Sequence, residues 1–296
     1  MPKFEFLGKQ MHAPIWISSM TGGTEMAAKI NQNLAKACAE FGLGMGLGSC
    51  RPLLDSNKRF QDFNLRTIIG NDLPFFANLG IAQIEELLSQ NRAEKISELI
   101  GKLKADGLII HVNPLQEWLQ PEGDRFKKAP IATIQELLEK TDFPIIVKEV
   151  GQGMGYNSLK ALMQLPLAAI DFAASGGTNF SKLELLRGSN ENSSQFEAWT
   201  NIGHTAEEMC LMVNEINREL GSAVQCKEVI VSGGVKNFLD GYYLIKLLNQ
   251  NAVYGQGSAF LKHAREDYKS LSNFVKQQIE GLKMAKAFLQ IKTNRP

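Results

Sequence analysis

His111, Asn113, Gln116 and Glu117 fall within seven consecutive positions, at the end of the apolar run Gly107-Leu-Ile-Ile-His-Val112. A run of about 4–8 apolar residues reads as a buried strand of a parallel sheet. Packing alone gives no reason for an imidazole, two carboxamides and a carboxylate where such a strand ends. The imidazole can hydrogen-bond or exchange a proton with a small polar ligand, and the carboxamides can hydrogen-bond to it. Glu117 can hold a hard cation, because Mg2+ is usually bound by one or two carboxylates together with substrate phosphate oxygens. Glu122 and Asp124 are neighbouring alternatives in a segment, Pro121-Glu-Gly-Asp124, that otherwise reads as a solvated turn. A lone strand histidine is more often a packed core residue; four polar residues so close together point to a site.

Lys148 sits in the otherwise apolar stretch Ile145-Ile-Val-Lys148. A buried lysine is rare unless paired, and three readings stay open for it. It forms a structural ion pair with Glu149 or Asp171, it is a Schiff-base nucleophile, or it is a cation facing the electron-rich N1–C2=O edge of a reduced flavin. The amide of Asn78 and the hydroxyl of Thr178 suit hydrogen bonding to such a ring. Arg51, just past Ser49, reads either as a bidentate clamp on a diphosphate or as a surface arginine.

These groups need a scaffold that brings several strand ends together. Apolar strands are predicted at 14–19, 45–49, 74–80, 107–112, 143–150, 168–174, 228–232 and 252–256. Helices are predicted between them at 24–41 (N-cap Thr24, Gly42 at the C-terminus), 81–105, 131–140, 157–165, 205–220 and 236–249, with a last one over 264–291. Residues 57–70 are amphipathic, and 175–203 read as a long loop rich in Gly, Ser, Asn and Glu. Eight alternating units predict an α/β fold, a (β/α)8 TIM barrel forming one domain over 1–296, since such barrels take about 250 residues. An open doubly wound sheet would need a glycine-rich fingerprint after the first strand, which Met20-Thr-Gly-Gly23 is not.

In such a barrel the site lies at the C-terminal strand ends. Here these are Ser18–Gly23, Gly48–Arg51, Asn78–Gly80, His111–Asn113, Lys148–Gly151, Ser175–Phe180, Ser232–Lys236 and Gly255–Ala259, every one polar or glycine-rich. The last two, Ser-Gly-Gly and Gly-Gln-Gly-Ser-Ala, stand where these barrels often bind phosphate, so a phosphorylated cofactor or substrate is expected. A net charge of +1, with 44% hydrophobic and 21% charged residues, describes an ordinary soluble protein and gives no support to a nucleic-acid or membrane-surface partner. No run approaches the ~18 apolar residues of a membrane span, and the first residues lack the apolar core of a secretory signal. Cys38, Cys50, Cys210 and Cys226 show no CxxC spacing, so reduced thiols packed as small hydrophobes in a cytoplasmic protein are expected. Phe75-Phe76, Trp118, Phe274, Ile279, Leu282, Met284 and Phe288 read as packing residues.

The chain resembles the type 2, FMN-dependent isopentenyl-diphosphate delta-isomerases. The resemblance rests on Met20-Thr-Gly-Gly23, Gly48-Ser49, Asn78-Leu-Gly80, His111-Val-Asn-Pro-Leu-Gln-Glu117, Pro121-Glu-Gly-Asp-Arg125, Val147-Lys-Glu-Val-Gly151, Gly176-Gly-Thr-Asn-Phe180, Ser232-Gly-Gly234 and Gly257-Ser-Ala-Phe-Leu261. It implies an FMN-binding barrel, assembled into tetramers or octamers, that interconverts isopentenyl and dimethylallyl diphosphate in isoprenoid biosynthesis with reduced FMN, Mg2+ and NADPH as the flavin's reductant. Met20, Thr21, Gly22, Ser49, Asn78, Lys148, Thr178, Gly233, Gly234, Ser258 and Ala259 would hold FMN. Ser49, Arg51, His111, Asn113 and Gln116 would contact substrate, with His111, Asn113, Gln116 and Lys148 serving catalysis, and Glu117 would bind Mg2+. Two departures stand out. Family members begin with a longer segment that includes an Arg-Lys pair for the diphosphate, and such a segment is expected to be missing here. Where they carry a hydroxyl or glycine on the sixth strand, this chain has Ala173-Ala174-Ser175.

Four rivals stand beside this reading. An FMN-dependent 2-hydroxy-acid oxidase needs a histidine base with a nearby arginine after a late strand, and neither late histidine, His204 or His263, stands in a His-Gly-Gly-Arg setting; a glutamate-synthase-like enzyme needs an iron–sulfur cysteine cluster, which is missing. A Schiff-base lyase would use Lys148. A flavin-binding barrel without isomerase activity would follow from the absent leading segment.

Overall fold

The computed structural model describes residues 3–19, 25–120, 122–187 and 193–292. Two short strands, β1 (Phe4–Phe6) and β2 (Lys9–Met11), form an antiparallel hairpin. Eight parallel strands then close a barrel in chain order: β3 (Ile15–Ile17), β4 (Gly44–Gly46), β5 (Phe75–Gly80), β6 (Gly107–His111), β7 (Ile145–Lys148), β8 (Ala169–Asp171), β9 (Glu228–Ser232) and β10 (Asn251–Gln256), with β10 bonded back to β3. All eight barrel strands lie inside the predicted segments or within one residue of them. The hairpin was not predicted. Its turn puts Leu7 and Gly8 in the left-handed region (φ 53° and 71°), and a leucine there gives no turn signal.

The flanking helices follow the predicted order. They include Glu25–Phe41, Ile81–Ser89, Glu94–Leu103, Pro130–Lys140, Tyr156–Met163, Ala206–Leu220, Phe238–Leu247, Ser258–Glu266 and Tyr268–Phe288. The proposed N-cap Thr24 lies outside the described residues, and Gly42 ends its helix with φ 66°. Residues 57–70 divide into two single turns, Phe60–Phe63 and Arg66–Ile69. On the last helix Leu282 is buried, but Met284 and Phe288 are exposed, so their spacing did not mark a packed face.

Alternation along each strand separates two cores. Ile15, Phe75, Leu108, Ile145, Ile170 and Val229 face outward into the large cluster beneath the helices. Trp16, Phe76, Ile109, Ile146, Ala169, Ile230 and Val253 face inward and form a second cluster with Phe6 and Met11 of the hairpin, which closes the barrel floor. Trp16 meets Phe6 and Phe76 edge-on, with ring centroids 6.4 and 6.2 Å away. Two residues further along, the same inward parity selects Ser18, Asn78, His111, Lys148, Asp171, Ser232 and Gly255. The fold thus carries one interior row from an apolar floor to a polar mouth.

Candidate active site

Register pairs His111 with Lys148, and Lys148 with Asp171, on three adjacent strands. The Lys148 Nζ donates to the Glu149 carbonyl at 2.8 Å. Neither carboxylate that sequence suggested as its partner forms an ion pair with it. Glu149 turns away, and its carboxylate accepts the backbone N–H groups of Gly151, Gln152 and Gly153 at 2.6, 2.6 and 2.9 Å. Asp171 is fully buried and accepts from the Ser232 hydroxyl. Burial pushes the carboxyls of Glu149 and Asp171 up; backbone N–H groups oppose this at Glu149, and the Lys148 ammonium opposes it at Asp171.

His111 places Nδ1 2.7 Å from Asn78 Oδ1, and Asn78 Nδ2 donates to Ser19 Oγ at 3.1 Å. Burial, then the nearby Lys148 charge, lower the imidazole to about 4, so it is neutral at physiological pH. Asn113 is buried, and its Nδ2 donates to Gln116 Oε1 at 3.1 Å and to Glu117 Oε1 at 2.9 Å. The other Glu117 oxygen accepts the Asp124 backbone N–H at 2.7 Å. Asp124 in turn receives Gln83 Nε2 at 3.0 Å and lies 3.4 Å from Arg51, which is otherwise exposed. The structure therefore gathers His111, Asn113, Gln116, Glu117 and Arg51 on one side of the mouth. Asn78 lies beside them through His111, and Ser49 is exposed next to Arg51, where its Oγ accepts the Arg51 backbone N–H at 3.4 Å.

Two partners were missed in the sequence. Residues 175–203 are not simply a loop: they contain the helices Phe180–Arg187 and Ser193–Phe196 and the 3-10 turn Glu197–Asn201. Glu184, buried on the first of these, accepts Gln116 Nε2 at 3.1 Å and Arg187 Nη1 at 2.7 Å. The i,i+3 spacing of Glu184 and Arg187 was the available signal. Trp118 is 47% exposed and meets Phe196 and Trp199 edge-on at 5.1 and 6.2 Å, so its packing is with this segment at the rim.

The remaining flavin candidates divide by location. Met20, Thr21 and Gly22 lie outside the described residues. Thr178 is exposed in the turn after β8. Gly233 and Gly234 have φ of 90° and 72°, and a Cβ on Gly233 would come within 2.1 Å of the Ala174 carbonyl. The loops after β8 and β9 interlock there. Ala173 adopts φ 41°, a conformation glycine favours, and its N–H donates to Ser232 Oγ at 2.9 Å. Ser258 and Ala259 open the helix Ser258–Glu266. A cavity of about 790 Å3 adjoins Ser258 on the outer side, between this helix and Glu25–Phe41, rather than over the His111 cluster.

Two observations test the fit of a polar cofactor and a cation. Among the described residues, Ser18 Oγ, Asn113 Oδ1, Asp171 Oδ2 and Gln256 Oε1 are buried at strand ends without a hydrogen-bond partner. Such atoms suit a heteroatom-rich ligand. No group of three or more His, Cys, Asp or Glu among the described residues gathers to hold a metal. Glu117 offers hard carboxylate oxygens for a cation whose remaining ligands come from substrate and water, and the Nδ2 end of Asn113 faces one of them. The four cysteines are buried, and burial raises their thiols, Cys50 to about 12. Among the described residues no helix is long and apolar enough to cross a membrane.

No family model matches the chain. It is 36% identical over 280 residues to the isopentenyl-diphosphate delta-isomerase of Rickettsia felis, covering 94% of this chain and 77% of that one. The enzyme of the same name from Rickettsia typhi is 35% identical over 280 residues, covering 94% and 78%. Among solved structures, a flavocytochrome b2 variant with sulfite bound aligns with a TM-score of 0.65 at 15% identity, over 98% of this chain and 69% of that one. A mandelate oxidase variant with an FMN adduct aligns with a TM-score of 0.59 at 12% identity, over 96% and 77%. At these identities the two structures attest the fold.

Proposed function

The chain belongs to the isopentenyl-diphosphate delta-isomerase family, and we propose that it acts as that family's FMN-dependent type, interconverting isopentenyl and dimethylallyl diphosphate with Mg2+. The observation that carries the reading is the mouth itself. One histidine, two carboxamides and one carboxylate converge beside Arg51, next to a buried ammonium, on a barrel of the kind that holds FMN in mandelate oxidase.

Bound reduced FMN, replenished by NADPH, would supply the acid–base chemistry of a net 1,3-proton shift. Lys148, Asn78, Thr178, Gly233, Gly234, Ser258 and Ala259 would hold it, with Met20, Thr21, Gly22 and Ser49. The Lys148 ammonium favours an anionic ring, since an opposite charge a few ångströms away stabilises the charged form. Glu117 would hold Mg2+, which neutralises diphosphate charge and positions it. Arg51 would add bidentate contacts to phosphate oxygens. Gln116, tied to Glu184, would orient the reacting carbons, and the aromatic rim of Trp118, Phe196 and Trp199 would keep water from them. Assembly into tetramers or octamers, one domain per chain and a cytoplasmic setting belong to the same reading.

Neither late histidine has the His-Gly-Gly-Arg setting of the oxidase alternative: His204 runs into Thr205-Ala206, and His263 stacks on Phe274 at 4.6 Å and pairs with Ser270, both on the outer helices. The direct test is conversion of isopentenyl diphosphate by protein reconstituted with FMN, reductant and Mg2+, followed by chromatography. Dimethylallyl diphosphate is the expected product. A preparation that retains stoichiometric FMN yet yields none overturns the reading.

A further inference from the structure

Ser19, Asn78 and His111 form a chain of side chains across the mouth from β3 to β6. Asn78 is 2% exposed, and both ends of its amide are engaged. Nδ2 donates to Ser19 Oγ at 3.1 Å, which leaves Oδ1 facing His111 Nδ1 at 2.7 Å. A carbonyl oxygen only accepts, so Nδ1 must carry the proton. A neutral imidazole has one N–H, and Nε2 is therefore left with a lone pair. The ring is seated against Gly80, where an added Cβ would approach Nε2 to 2.8 Å. The charged neighbour in register is Lys148, a cation that works against a second proton on the ring. Among the described residues His111 forms no ion pair with a carboxylate that would reverse this.

We propose that Asn78 is a positioning residue whose Oδ1 fixes His111 as the Nδ1–H tautomer, so that the imidazole meets its ligand as a hydrogen-bond acceptor. A bare diphosphate oxygen is also an acceptor and brings no hydrogen to Nε2. The group His111 faces in the bound state must be an N–H or O–H donor, such as a water on the cation that accompanies the diphosphate. This identification of the ligand group rests on the isomerase reading; the tautomer does not.

The tautomer is read by 15N–1H correlation spectra of histidine-labelled protein as purified, at neutral pH. His111→Gln assigns the signal among the four histidines. The expected spectrum has a protonated Nδ1 and an unprotonated Nε2. Asn78→Ala should bring the Nε2–H form up to a population comparable with Nδ1–H. Asn78→Asp, which keeps an acceptor but adds the carboxylate charge that favours a second ring proton, should keep Nδ1 protonated and raise the doubly protonated form. A wild-type Nε2–H signal overturns the proposal, as does a folded Asn78→Ala protein with an unchanged tautomer. If Asn78→Ala does not fold, the wild-type spectrum decides. The measurement needs no substrate and no turnover, so its failure is distinguishable from failure of the isomerisation assay.

Discussion

At the scale of the residue, His111 couples the mouth to pH. Its folded-state value near 4 lies below the ordinary 6.5, so as pH falls the unfolded chain takes up the proton first. The contribution is fully present above about 6.5, is lost progressively down to about 4, and changes no further below that. A shift of this size corresponds to roughly 3 kcal/mol. Glu149 and Asp171 act in the opposite sense, because raised carboxyls bind protons first in the folded state. The comparison must therefore be between wild type and His111→Gln. Urea unfolding should show their difference in stability changing by roughly 3 kcal/mol between pH 7 and pH 4, with the variant gaining relative to wild type toward low pH. A difference that is flat with pH would show that His111 is not desolvated. Lys148 was legible at this scale as a misplaced charge, whereas its partner was not. Sequence offered two carboxylates, Glu149 and Asp171, but the three N–H groups that capture Glu149 belong to a loop conformation that residue types do not encode.

At the scale of the element, the strands were legible because each is apolar on both faces, as barrel strands between a core and a layer of helices must be. The helix Phe180–Arg187 was not, for a physical reason. Its exposed side carries Phe180, Leu183 and Leu186, and its buried side carries Ser181 and Glu184. Periodicity read from hydrophobicity therefore points the wrong way. The inversion exists because the buried side serves Gln116 instead of an apolar core. The helix Ala206–Leu220, predicted over 205–220, is the contrasting case, and the structure shows Thr205 capping it three residues before Glu208. Thr205 Oγ1 accepts the Glu208 N–H at 3.2 Å, and the Glu208 carboxylate returns a bond to the Thr205 N–H at 2.7 Å. Removing the cap in Thr205→Ala should lower unfolding free energy by about 1 kcal/mol, read as a lower urea midpoint with an unchanged slope. Thr205→Asn should recover most of the loss, and no change in midpoint for the alanine variant would mean that the reciprocal bonds contribute nothing.

At the scale of the whole molecule, the barrel needs a floor as well as a mouth, and the floor is the β1–β2 hairpin that sequence did not announce. Neither Phe-Glu-Phe nor Lys-Gln-Met is an apolar run of the kind that marked the barrel strands, and the plug role emerges only once the eight barrel strands have closed. The hairpin is bound on two sides. Leu7 N–H donates to Glu228 at 2.7 Å, and Asn251 donates to the Glu5 carbonyl at 3.0 Å, which ties the hairpin to β9 and β10. Phe6 is fully buried against Trp16 within the interior cluster, so its truncation leaves a cavity that the closed strands cannot collapse to fill. Phe6→Ala should therefore cost about 3–5 kcal/mol, a large share of the ~5–15 kcal/mol that holds a typical domain together. Calorimetry should show the lower melting temperature as a single cooperative transition, because the hairpin shares one interior row with all the strands it seals. If the loss is below about 1 kcal/mol, or if a separate low-temperature transition appears, the hairpin is an appendage and the barrel closes without it.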